Sequence, residues 1–274
     1  MRRTLTIALG AVATCAALAT VPSLASASTC SYDPAAKSVT VTHSATPGET
    51  LEVLQVFGQI QHRDFGAFRQ CLSPGEQVAT VSNTDKIKIV AAPGSAPLFQ
   101  ATMVEVVNGP LGPGATPEAS GRSEIEIAVL TGTGGDRLTL AGSEGDDSIR
   151  VGMGTGLQFL SSQADLNGDG DSDVGMTQAG SIRVFGKGGD DFLSGQGFPD
   201  AATPSIRPMT VNGSTGDDEI FGGTAADVLR GDAGFDFFST KDGVADTLAG
   251  GADFDSASSD LVLDSFNSVE NLQR

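Results

Sequence analysis

The chain has 274 residues, 36 of them glycine, with no tryptophan and a formal net charge of −18. That length suits one elongated domain or two compact ones, and acidity on this scale argues against nucleic acid and anionic membranes as partners. The charge is concentrated: from Thr131 onward 24 Asp or Glu face 8 Lys or Arg, whereas residues 28–130 carry 10 against 6.

Met1 to Ala27 reads as a secretory signal peptide. Arg2 and Arg3 form a basic start, Leu5 to Val21 an apolar and small-residue core, and Ala25-Ser26-Ala27 a cleavage motif that puts the mature start near Ser28. Cys15 leaves with that leader. Cys30 and Cys71 remain, an even pair in an oxidising compartment, and are expected to form a disulfide. Closing a loop of about 42 residues contributes roughly 3–4 kcal/mol on a chain-entropy account.

Residues 28–130 alternate with period two. Val39 and Val41 flank Thr40, and Leu51 to Val56, Lys86 to Val90 and Ile125 to Ile127 show the same pattern, so strands are expected. Pro47-Gly48, Ser73-Pro74-Gly75, Pro93-Gly94 and the run from Gly109 to Gly114 punctuate them. This region is expected to be either the irregular first coils of a solenoid that continues past residue 130 or a small β-domain capping that solenoid.

Residues 131–274 are organised by a nine-residue unit. Gly213 to Phe221, Gly222 to Arg230 and Gly231 to Ser239 are contiguous; after Thr240 come Lys241 to Ala249 and Gly250 to Ser258. Each places an Asp sixth: Asp218, Asp227, Asp236, Asp246 and Asp255. Two places on stands Ile220, Leu229, Phe238, Leu248 or Ala257. Earlier units give Asp136 with Leu138, Asp147 with Ile149, and Asp191 with Leu193. Glycine at the first, second and fourth places permits positive φ and a tight turn. The apolar residue begins a strand too short to bury a face alone, so successive strands must stack. Two units then make one coil of about eighteen residues, with Asp218 over Asp236 on one edge and Asp227 over Asp246 on the other. Like charges one strand spacing apart repel. Such rows call for a cation, and oxygen-only donors select a hard one, Ca²⁺ before Mg²⁺.

The array resembles the hemolysin-type calcium-binding (RTX) repeats. The resemblance implies an all-β, right-handed parallel β-roll or β-solenoid, with Ca²⁺ held in the turns by these aspartates and neighbouring backbone carbonyls. It does not extend into residues 28–130. Two insertions, near 151–185 and 195–212, break the register and are expected to project as loops or extra-long turns. Asp260 to Asp264 and Ser268 to Leu272 are expected to be final strands forming a C-terminal cap.

The first insertion holds a second constellation, Asp165, Asn167, Asp169, Gly170 and Asp173, spaced like the first half of an EF-hand loop. The twelfth-place Glu is missing, with Met176 there instead. The segment is either a helix-free calcium loop or a polar hairpin turn.

Enzyme signatures are scarce. Neither an HExxH motif nor a GxSxG elbow is present. Glu124 and Glu126 share a strand face, and paired carboxylates can hydrolyse sugars. The expectation is a secreted calcium-binding protein with a structural or adhesive role toward a cell-surface or matrix partner. The alternative is a polysaccharide-acting enzyme, recognisable by a groove of converging acids near Glu124 and Glu126.

Overall fold

The computed structural model describes residues 28–43, 50–64, 67–91, 103–107, 112, 114–116, 124–130, 137–154, 161–177 and 179–273. The expected leader and Asp136 lie outside them. Among the described residues every regular element is a strand, in one sheet of thirteen and one of ten.

From Ser181 onward the chain alternates between the sheets. Ser181–Gly188, Met209–Thr215, Val228–Ala233, Thr247–Ala252 and Ser265–Asn267 are neighbours in the ten-stranded sheet. Phe192–Ser194, Glu219–Phe221, Phe237–Thr240, Ser256–Ser259 and Asn271–Gln273 are neighbours in the other. All these pairings are parallel. The register follows the nine-residue unit, since Ile220 pairs with Phe238, which pairs with Ala257, while Val211 meets Leu229, which meets Leu248.

Those columns are the core. Ile149, Leu193, Ile220, Phe238 and Ala257 are buried in one sheet, and Leu140, Val184, Val211, Leu229 and Leu248 in the other, all within one apolar cluster. A strand as short as Glu219–Phe221 buries a single apolar residue, and full burial of a Leu-sized side chain contributes roughly 1.5–3 kcal/mol. Stability therefore comes from adding rows, each covered by the next.

The region before the repeats shares both sheets. Ser38–His43, Lys86–Ala91 and Glu126–Leu130 lie parallel in the thirteen-stranded sheet, and Met103–Val107 pairs with Arg137–Ala141 in the other. Its buried residues belong to the same apolar cluster as those of the repeats. Its outer end is antiparallel: Thr29–Asp33 closes on Ser38–His43, and Thr50–Val56, Gln59–Asp64 and Ala67–Gln70 form a meander. The Cys30–Cys71 disulfide ties the first strand to the segment after that meander.

The first insertion does not project. Ser161–Asp165 and Val174–Thr177 enter the thirteen-stranded sheet between Ser148–Met153 and Glu126–Leu130, so the hairpin's backbone groups find ladder partners on both sides. In the second, Thr203–Pro204 pairs with Gly152 and Met153 before the chain re-enters the other sheet at Met209. Residues 260–264, expected as a strand, form a turn closed by the Leu263 and Asp264 N–H groups on the Asp260 carbonyl, and the strand begins at Ser265.

Candidate metal centre

The turns from Gly142 to Asp147, Gly186 to Asp191, Gly213 to Asp218, Gly231 to Asp236 and Gly250 to Asp255 carry the chain from the ten- to the thirteen-stranded sheet, along one edge. Gly222 to Asp227 and Lys241 to Asp246 return it along the other. The two edges bend differently. On the first, the second place takes positive φ in the last four turns, at Lys187 (87°), Ser214 (85°), Asp232 (76°) and Gly251 (122°), but not at Ser143. The fourth place does so at Gly189, Gly216 and Gly234. First-place glycines do not need positive φ. They are needed for room, because a Cβ at Gly186, Gly213, Gly231 or Gly250 would collide with Oδ2 of the Asp five residues on.

Each carboxylate is thereby pressed into its turn and linked to the row before it. Backbone N–H groups donate across rows from Asp147 to Asp191 Oδ1 (2.8 Å), from Asp191 to Asp218 (2.9 Å), from Asp218 to Asp236 (3.0 Å) and from Asp236 to Asp255 (2.9 Å). Glu270 ends this ladder by accepting from Asp255 N–H at 2.9 Å. On the other edge Met209 donates to Asp227, Asp227 to Asp246 and Asp246 to Asp264, at 2.8, 2.8 and 3.0 Å. The expected stacking of Asp218 over Asp236 and of Asp227 over Asp246 is present on both edges. An outer row on the first edge runs Asp146, Asp190, Asp217 in the opposite sense, each carboxylate accepting from the N–H of the following turn, and ends on the Phe235 N–H.

Oδ1 is thus spoken for, and Oδ2 differs from site to site. Asp147 Oδ2 accepts from the Ser143 N–H and hydroxyl, and Asp227 Oδ2 from the Gly223 N–H. Oδ2 of Asp191, Asp218, Asp236, Asp246 and Asp255 is buried with no hydrogen-bond partner. A buried carboxylate oxygen without a donor is costly. Burial is the main cause that pushes these acids upward: Asp191, Asp227 and Asp236 to about 6, Asp218 and Asp246 to about 7, and Asp255 upward as well. The donated N–H bonds oppose the shift, and carboxylates in adjoining turns add to it. Rows of anionic oxygens with a free lobe on each suit a hard divalent cation with oxygen ligands.

The loop in the first insertion is organised by its own side chains. Asp165 accepts N–H bonds from Asn167, Gly168 and Gly170, and Asn167 Oδ1 accepts from Asp169 N–H. Asn167 Nδ2 donates to both Glu124 oxygens, at 2.9 and 2.8 Å. Ligand atoms of Glu124, Asp169 and Asp171 lie within 4.8 Å of one another. Asp173 Oδ2 accepts from Leu166 N–H, and burial, together with the facing Glu124 carboxyl, holds its acid well above the usual carboxylate range. A pocket of about 260 Å³ opens here, lined by Glu124, Glu126, Asp171, Ser172, Asp173 and Asp200.

Of the twelve candidate ligands read from the sequence, Asp147, Asp191, Asp218, Asp236 and Asp255 share one row, Asp227 and Asp246 the other, and Asp165, Asn167, Asp169 and Asp173 the loop. Asp136 lies outside the described residues. Sequence reasoning missed Asp264, Glu270, the outer row, Asp171 and the contribution of Glu124. Asp264 was findable, since it follows Asp246 by 18 residues, the interval that separates Asp218 from Asp236. No family model, curated protein or solved structure matches the chain.

Proposed function

We propose that this chain is a secreted calcium-binding protein, a β-roll of the RTX kind whose turns take up several Ca²⁺ ions and stiffen as they do so, in a structural or adhesive role. The observation that carries the reading is the pair of aspartate rows, in which five buried Oδ2 atoms lack any donor. A divalent ion between successive turns would neutralise these carboxylates, and the energy of binding it becomes energy of folding. The leader-like start of the sequence and the Cys30–Cys71 bond support export to a calcium-rich, oxidising space. Affinity per site is expected in the weak extracellular range, about 10⁻⁴ to 10⁻³ M.

The hydrolase alternative would draw on the groove at Glu124 and Glu126. There Glu126 pairs with Lys86 at 3.0 Å and Glu124 is gripped by the Asn167 amide. That arrangement favours holding a charge in place over delivering a proton, and the binding reading is preferred.

The test is a calcium titration of the mature protein followed by far-UV circular dichroism, with magnesium alongside. The β-signal should rise with calcium, respond weakly to magnesium and fall on chelation; Asp227→Ala should need more calcium to reach the same signal. A chain equally folded with and without calcium, and showing no calorimetric uptake of it, rules the proposal out.

A further inference from the structure

The first insertion carries a cluster of acids outside both ladders. Three facts set it apart from a polar hairpin. First, its carboxylates come from two distant stretches: Asp169 and Asp171 from the loop, and Glu124 from the residues just before the strand Glu126–Leu130. Second, Asp173 is 2% exposed, lines the same pocket, and its Oδ1 has no hydrogen-bond partner. The group it faces is the Glu124 carboxyl. Two acids set face to face in a buried position share a proton when the site is empty, and a cation that displaces that proton meets both carboxylates at once. Third, the remaining polar residues of the loop are committed to holding those four in place. Asp165 gives both oxygens to loop N–H groups, and Asn167 orients Glu124 through its amide.

We propose that Glu124, Asp169, Asp171 and Asp173 form a separate site for one Ca²⁺ ion, with Glu124 supplying across the sheet the carboxylate that the loop lacks at its twelfth place. Asp165 and Asn167 are its positioning residues. Three carboxylates with ligand atoms within 4.8 Å of one another, Asp173 lining the same pocket and room there for water suit the six to eight oxygens that calcium takes better than the tighter octahedral shell of magnesium. The site fastens the inserted hairpin to the first rows: the Ile127 N–H already donates to the Asp173 carbonyl at 2.7 Å, and Val174–Thr177 pairs with the strand beginning at Glu126. The identity of the ion rests on the calcium reading of the ladders, but the ligands are none of the ladder aspartates.

Hydrogen exchange read by mass spectrometry on the full mature chain, in calcium and in chelator, separates the two. In the wild type, calcium should slow exchange both in residues 213–258 and in residues 124–130 with 161–177. The double variant Glu124→Gln, Asp173→Asn should lose the slowing in the second set and keep it in the first. Asp171→Asn, which changes a half-exposed position, should weaken it in the same place and serves if the double variant does not fold. Unchanged calcium-dependent protection of 161–177 in these variants overturns the site, as does its absence from the wild type. Loss of protection confined to 213–258 in the wild type would instead remove the ladder reading and leave this one standing.

Discussion

At the scale of the residue, the nine-residue unit is a device for burying a carboxylate beside a backbone with no side chain in the way. Gly231 shows this directly, because the Cβ of any other residue there would overlap the Asp236 carboxylate. Gly231→Ala should therefore destabilise the calcium-loaded protein by about 1–3 kcal/mol, the usual range for overpacking. Gly175→Ala, where a Cβ meets nothing within 4 Å, should shift the urea midpoint far less. Equal midpoints for the two variants would show that the crowding is relieved at no cost. The sixth-place aspartates were legible in the sequence, because their period is visible without a structure. The reason for the first-place glycine was not. Its partner is five residues ahead, and only the bent turn brings them together.

Among the elements, the short strands are exchangeable in pattern but not in weight. Phe238 is the bulkiest fully buried side chain of its column, set between Ile220 and the much smaller Ala257. Phe238→Ala should cost about 3–5 kcal/mol in calcium, whereas Val262→Ala, at a position 92% exposed, should fall within about 0.5 kcal/mol of the parent. Chemical unfolding at saturating calcium measures both, and comparable losses would mean that the column is not the core. The periodic strands between Gly213 and Ser258 could be placed from the sequence because each unit states its own register. The hairpin Ser161–Asp165 with Val174–Thr177 could not, since its apolar residues alternate only weakly and its partner strands lie in a different part of the chain. Sequence alone placed Asp165, Asp169 and Asp173 of the loop but not the contribution of Glu124, for the same reason.

For the molecule as a whole, the pH dependence should invert with calcium. In the metal-free fold the buried aspartates are raised toward 6 and 7, above their unfolded value near 3.8. The folded state then holds more protons than the unfolded one, so stability contributed by these groups is full below about pH 4 and is lost as pH climbs through 6 and 7. With calcium bound the same oxygens must be deprotonated, and acid competes with the metal. Chelated protein should melt higher at pH 4.5 than at pH 7.5, and calcium-loaded protein should do the reverse. Parallel pH profiles with and without calcium would show that the rows are not where the ion acts.

The two ladders also have a direction. In every rung the N–H belongs to the earlier turn and the carboxylate to the later one, ending at Asp264 on one edge and Glu270 on the other. A chain emerging amino end first therefore completes each inner rung one turn late, whereas the outer row, in which later N–H groups donate to earlier carboxylates, can close as each turn arrives. The inner ladders fasten one step behind their own arrival. Without Asp264 or Glu270 the last N–H of its ladder, that of Asp246 or Asp255, would be an open catch at the tail.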